Sequence, residues 1–186
     1  MLEPADHPGA APEGRRQSRV VVGVSMSIAG LQALRVAVTE ARWRSAPLFA
    51  VRACAFRPPW TGPDVERVRT QLRREARQYV CDAFDAAMGG VPHDVTVYVD
   101  LANARIDEAL LAASDNPSDV LIVGRHTQRR PSNWLIRSCM RHACCPVVIV
   151  PPPSGLPEIA NRRMARRLLR EISRQQRAVR AIVGQL

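Results

Sequence analysis

Ser25 closes the apolar run Arg19-Val-Val-Val-Gly-Val-Ser, and a serine at the carboxyl end of a buried strand can bind a ligand or act as a nucleophile. Attack needs a base within reach, and the sequence offers none at a recognisable spacing. His7, His93, His126 and His142 are scattered, and neither a Gly-x-Ser-x-Gly elbow nor a P-loop is present. Asp100, Asp107, Asp115 and Asp119 stand where carboxylates cap or flank helices, and that role is expected of them. Cys54, Cys81, Cys139, Cys144 and Cys145 include no Cys-x-x-Cys pair and are expected as small apolar residues; for vicinal Cys144-Cys145, packing before a strand is favoured over a redox pair or soft-metal site. These residues predict no catalytic constellation, no metal site and no enzyme. Binding chemistry is better represented, because Arg125, Arg129 and Arg130 could grip an anion in bidentate fashion.

The elements that position these residues follow from hydrophobic period and punctuation. After a Pro-, Ala- and Gly-rich lead over 1–18, expected to be disordered, residues 19–25 read as a strand buried on both faces. Leu31, Leu34, Ala37, Val38 and Ala41 recur at helical spacing in a helix from Ala29 to Arg44. Further strands are predicted at 48–54, 95–99, 119–124 and 146–150, with helices at 64–88, 104–114 and 133–143 between them. Four strand–helix units closed by a strand make an open, doubly wound α/β sandwich, with five mostly parallel strands and helices on both faces. Such a sheet binds ligands beyond the carboxyl ends of its strands, where their order reverses, so the candidate crevice holds Gly23, Ser25, Gly124, Arg125, Asn133 and Trp134.

Val21-Val-Gly-Val-Ser-Met-Ser with its Leu-Gln-Ala-Leu helix, and Val120-Leu-Ile-Val-Gly-Arg with the later Arg141-His-Ala-Cys-Cys-Pro-Val-Val-Ile-Val, resemble the universal stress protein (UspA-like) family over residues 19–151. The resemblance implies a flavodoxin- or Rossmann-like five-stranded domain, commonly dimeric, of which some members bind ATP and others do not. It also implies dimerisation through the last strand, here Val147, Val148, Ile149 and Val150. ATP-binding members usually carry an aspartate after the first strand and a Gly-x-x-Gly-x9-Gly-(Ser/Thr) loop after the fourth. Here Ser25 replaces the aspartate, Met26 a usual glycine and Thr127 the second loop glycine, while Asn133 and Trp134 fall on the final pair of a shortened loop. Conventional ATP binding is therefore disfavoured, and no cofactor is expected.

The +10 net charge is carried by arginine, and most of it sits at the end of the chain. A Pro-rich hinge over 152–159 precedes residues 160–186, where Ala165, Leu168, Ile172, Gln175, Val179, Ile182 and Leu186 form a heptad-like stripe, interrupted by the polar Gln175, among eight arginines. This basic amphipathic helix fits packing on the domain or a partner helix, an anionic membrane surface, or nonspecific contact with nucleic acid. No apolar run is long enough to cross a bilayer and no secretory leader is recognised, so a cytoplasmic location is expected. The function expected is that of a regulatory binding protein in the stress response, homodimeric and able to engage a protein partner. The alternatives are a nucleotide- or anion-binding sensor using Arg125, Arg129 and Arg130, and nucleic-acid or membrane association through the tail.

Overall fold

The computed structural model describes residues 2–4, 17–53, 63–125 and 133–153. The chain divides into two units, 1–152 and 153–186. The expected helix over 160–186 and most of the hinge lie outside the described residues, as do Cys54, Arg129 and Arg130.

The first unit alternates strand and helix: β1 (Leu2–Pro4), β2 (Val20–Gly23), α1 (Ile28–Arg44), β3 (Leu48–Ala53), α2 (Pro63–Met88), β4 (Val97–Ala102), α3 (Ile106–Ala113), β5 (Val120–Gly124), α4 (Asn133–His142) and β6 (Val147–Val150). The strands form one sheet in the order β1-β4-β3-β2-β5-β6, and every neighbouring pair is parallel. Without β1, the order is the 3-2-1-4-5 of a Rossmann-type doubly wound sheet, with β2 in the middle.

Two boundaries correct the sequence reading. Residues 2–4, inside the lead expected to be disordered, pair with β4 and add a sixth strand. Main-chain pairing needs no hydrophobic periodicity, so composition carries no sign of it. The third predicted strand starts two residues later than expected and ends three later, at 97–102, because the turn after α2 runs through His93, Asp94 and Val95.

Each central strand is apolar because both of its faces are covered. Val20, Val22 and Val24 meet one core, built under α1 and α2 with Leu34, Val38, Val80 and Phe84. Val21 turns to the other core, with Leu110, Leu121, Val123, Ile136 and Cys139 under α3 and α4. β5 repeats the alternation, with Ile122 in the first core and Leu121 in the second. Phe84 is the largest fully buried side chain, and burying such a group contributes about 1.5–3 kcal/mol.

Helix ends set where the loops leave. Ser27 caps α1 by accepting from Gly30 N, and Ser45 ends it in the left-handed region at φ 51°. Its N–H donates to Arg42 O and that of Ala46 to Ala41 O, pairing the last carbonyls before β3 begins.

The amino end of the sheet is fastened by charge. Arg19 donates through its main-chain N to Asp119 Oδ1 at 2.8 Å and through its guanidinium to Asp119 Oδ2 at 2.7 Å. Asp115 pairs with the same guanidinium, which lies 5.5 Å from the Phe49 ring centroid. Burial disfavours the charged arginine, but the hydrogen bonds and charges of Asp119 and Asp115 outweigh it and hold the guanidinium's pKa above its ordinary value. Asp119, expected to cap or flank a helix, is instead the fully buried partner of Arg19, joining the starts of β2 and β5.

Candidate functional site

The strand order reverses between β2 and β5, whose carboxyl ends carry Gly23 and Gly124. On the β2 side, Val24 N donates to Val51 O at 2.9 Å and prolongs the sheet by one residue before the chain turns. Ser25 Oγ and Ser27 Oγ share a hydrogen bond at 2.8 Å, while Ser27 Oγ accepts Gly30 N at 3.0 Å. The first turn of α1 holds no acidic residue. A Cβ on Gly30 would collide with the Ser25 hydroxyl and carbonyl, so glycine is the residue this turn admits.

Two side chains from other elements engage the same loop. Tyr79 Oη, from α2, accepts the Met26 N–H at 2.9 Å. The Arg52 guanidinium, at the end of β3, lies 4.0 Å from the Tyr79 ring centroid, and its Nη1 reaches toward Val24 O at 3.4 Å. Sequence reasoning missed both residues. Tyr79 sits in the apolar stripe of α2 and reads as core, which its ring partly is. Arg52 shares the inward parity of Leu48 and Ala50 in a buried strand, and that misplaced charge was the available signal.

On the β5 side, Arg125 N donates to Val150 O at 2.7 Å, and the Arg125 side chain is exposed. A Cβ on Gly124 would stand 2.5 Å from Ala29 O and 2.7 Å from Ala29 C, so the missing side chain lets α1 close onto β5. Gly23 faces α3, where an added Cβ would touch Leu110 at 3.4 Å. Of the two glycines in the candidate crevice, Gly124 is thus the one whose missing side chain helix packing requires.

A separate cluster joins α3 and α4. Arg105, just before α3, lies 5.1 Å from the ring centroid of Trp134 and donates to Asp107 Oδ1 at 3.2 Å. Ser138 Oγ of α4 donates to Asp107 Oδ2 at 2.9 Å. Burial pushes the Asp107 carboxyl upward, but the Ser138 hydroxyl, the Arg105 charge and the backbone N–H groups of Glu108 and Asp107 together hold it below the usual carboxylate range. Asp107 therefore does more than flank its helix: it ties α3 to α4 and steadies Trp134 through Arg105. Trp134 is about half exposed, and Asn133 is the first residue of α4.

The described thiols divide by burial. Cys139 and Cys145 are buried in the second core, and burial pushes the Cys139 thiol up to about 11 and raises Cys145. Such thiols are poor nucleophiles at neutral pH. Cys144 departs from the buried role expected of it: it is exposed, and donates to Ser114 O at 3.4 Å. Among the described residues no group of three or more His, Cys, Asp or Glu could hold a metal ion, and no helix is long and apolar enough to cross a membrane. β6 lies at the sheet edge, with Val150 buried, Val147 and Ile149 half-buried and Val148 exposed.

Comparison with known proteins matches these elements. The model of the universal stress protein family covers residues 17–151. Among solved structures, the chain is similar to universal stress protein UspA from Lactobacillus plantarum at 16% identity and TM-score 0.50, over 74% of this chain and 99% of that one. A universal stress protein family member from Burkholderia pseudomallei gives 22% identity and TM-score 0.49, over 75% and 99%. No curated protein sequence matches the chain.

Proposed function

Because the chain belongs to the universal stress protein family, we propose that it is a non-catalytic regulatory binding protein of the stress response that does not hold ATP in the manner usual for the family's nucleotide-binding members. The observation that carries this reading is the hydrogen bond from Met26 N to Tyr79 Oη at 2.9 Å. An unoccupied N–H at the head of α1 would be available to a ligand at the switch point. Here that N–H is already bonded to an acceptor on the protein's own α2, with Arg52 stacked on the tyrosine and directed at Val24 O.

Three residue types support the same reading. Ser25 stands where the resemblance implies a carboxylate, and its hydroxyl is engaged with Ser27. Gly124 uses its lack of a side chain to admit Ala29. Trp134 is a bulky ring leaning on Arg105 at a position where a hydroxyl is usual. Calorimetric titration with ATP, ADP and cyclic AMP tests the reading: absent or millimolar binding supports it, and micromolar binding of any of the three refutes it.

A second reading, an anion sensor, is favoured by Arg125, whose exposed side chain stands at the carboxyl end of β5. In that reading Arg129 and Arg130 join it. Inorganic phosphate and sulfate titrations that respond to Arg125→Ala would distinguish it. Homodimerisation through β6 is part of the proposal, because an edge strand with Val148 exposed can pair with a second copy. Mass measurement in solution tests that point. The tail over 160–186 adds the option of an anionic partner, tested by truncation after Pro153 and binding to DNA and to anionic vesicles at several salt concentrations.

A further inference from the structure

In a parallel sheet, the N–H and C=O of one residue point to the same neighbouring strand, and those of the next residue point the other way. Leu48 N donates to Thr96 O at 2.9 Å, so the main-chain groups of Thr96, Tyr98 and Asp100 turn toward β3. Those of Val97, Val99 and Leu101 therefore turn outward, to the side where β1 lies.

β1 follows that edge with Leu2 opposite Val97, Glu3 opposite Tyr98 and Pro4 opposite Val99. This register sets Glu3 between the Val97 carbonyl and the Val99 N–H, with its own N–H and C=O directed at β4. Leu2 and Pro4 direct theirs away from the sheet. The missing N–H of Pro4 thus costs the β1–β4 ladder nothing, and it removes a donor from the new outer edge. The described pairing of β1 runs as far as Val99.

We propose that the outward edge of β4 is a strand-addition site whose resident occupant is this chain's own residues 2–4, held as a detachable cover. Three features make the cover detachable. Among the described residues its pairing spans three positions. One residue, Glu3, supplies the central main-chain contacts, and ordering each residue of so short a strand costs entropy comparable to what a net hydrogen bond returns. The segment also lies outside the 17–151 stretch that matches the family, so the domain's own elements do not depend on it. With the cover lifted, the edge offers Val97, Val99 and Leu101 to an extended chain running parallel to β4. The recognition is main-chain and needs an N–H at the position of Glu3.

Amide hydrogen exchange in the full chain tests this. Val99 N–H is expected to exchange at least about tenfold more slowly in the full chain than after deletion of residues 1–5, while Tyr98 and Asp100 keep their rates in both forms. Glu3→Pro removes the donor and is expected to reproduce the deletion, whereas Glu3→Ala and Pro4→Ala preserve the protection. A synthetic peptide of residues 1–10, added to the deleted form at millimolar concentration to match a short tether, is expected to restore slow exchange at Val99. Equal Val99 rates in the full and deleted chains overturn the cover. Protection that is lost on deletion but not restored by the peptide overturns the strand-addition site.

Discussion

Tyr79 Oη accepts the Met26 N–H at 2.9 Å, fastening α2 to the loop that leads from β2 into α1. Tyr79→Phe removes the acceptor and leaves the ring in place beneath Arg52. The expected result is a loss of about 1 kcal/mol in urea unfolding, with faster exchange of the Met26 amide and little change elsewhere. Unchanged Met26 exchange would show that the hydroxyl does not hold the loop.

At the other end of the sheet, burial of charge decides the outcome. Asp119→Ala takes the fully buried carboxylate from Arg19 and leaves its guanidinium paired with Asp115. Removing one member of a buried pair costs about 3–5 kcal/mol, and Asp115 places this case toward the lower figure. Denaturant unfolding checks it, and Asp115→Ala, at a half-exposed carboxylate, is expected to cost about 1 kcal/mol or less.

Asp107 gives the protein part of its acid sensitivity. Its folded pKa lies below the ordinary 3.8, so its contribution is present above that value and is lost as pH falls through the lower, folded one. Stability is therefore expected to decline below about pH 4, and Asp107→Asn to be less stable at neutral pH but to decline less over that window. Thermal unfolding between about pH 2 and 7 reads the difference. Parallel curves for the two proteins would remove Asp107 from the acid response.

Gly124→Ala forces a methyl against the Ala29 carbonyl, a backbone atom that moves only if α1 moves. The expected cost is about 1–3 kcal/mol, measured by denaturant unfolding, whether or not nucleotide is added. A stable variant would show that α1 is free to shift away from β5.

Much of the fold is legible in the sequence because its signals are local. Val20 to Val24, Leu48 to Val51 and Val120 to Val123 are apolar at nearly every position, and that continuous pattern marks strands covered on both faces. β1 is not legible, since Leu2–Pro4 pairs through its main chain from within a segment of Pro and Ala. The site divides in the same way. Ser25, Gly124 and Arg125 can be placed because each follows or closes a recognisable strand. Tyr79, Arg52 and Arg105 each have a partner on another element, distant in sequence: Met26 from Tyr79 by 53 positions, for example. Asp119 escapes a sequence reading for the same reason, its partner Arg19 lying 100 positions away. Spacing along the chain reports a cap, but it does not report a pair made by two neighbouring strands.

The mass of the freshly purified, undenatured protein, measured in the gas phase from a volatile buffer, tests the central claim most directly. The expected spectrum shows protein without nucleotide, and millimolar ATP adds no saturable bound species. One nucleotide per chain carried through purification would contradict the account, because it would require the loop held by Tyr79 and the turn closed by Gly124 to open around a triphosphate.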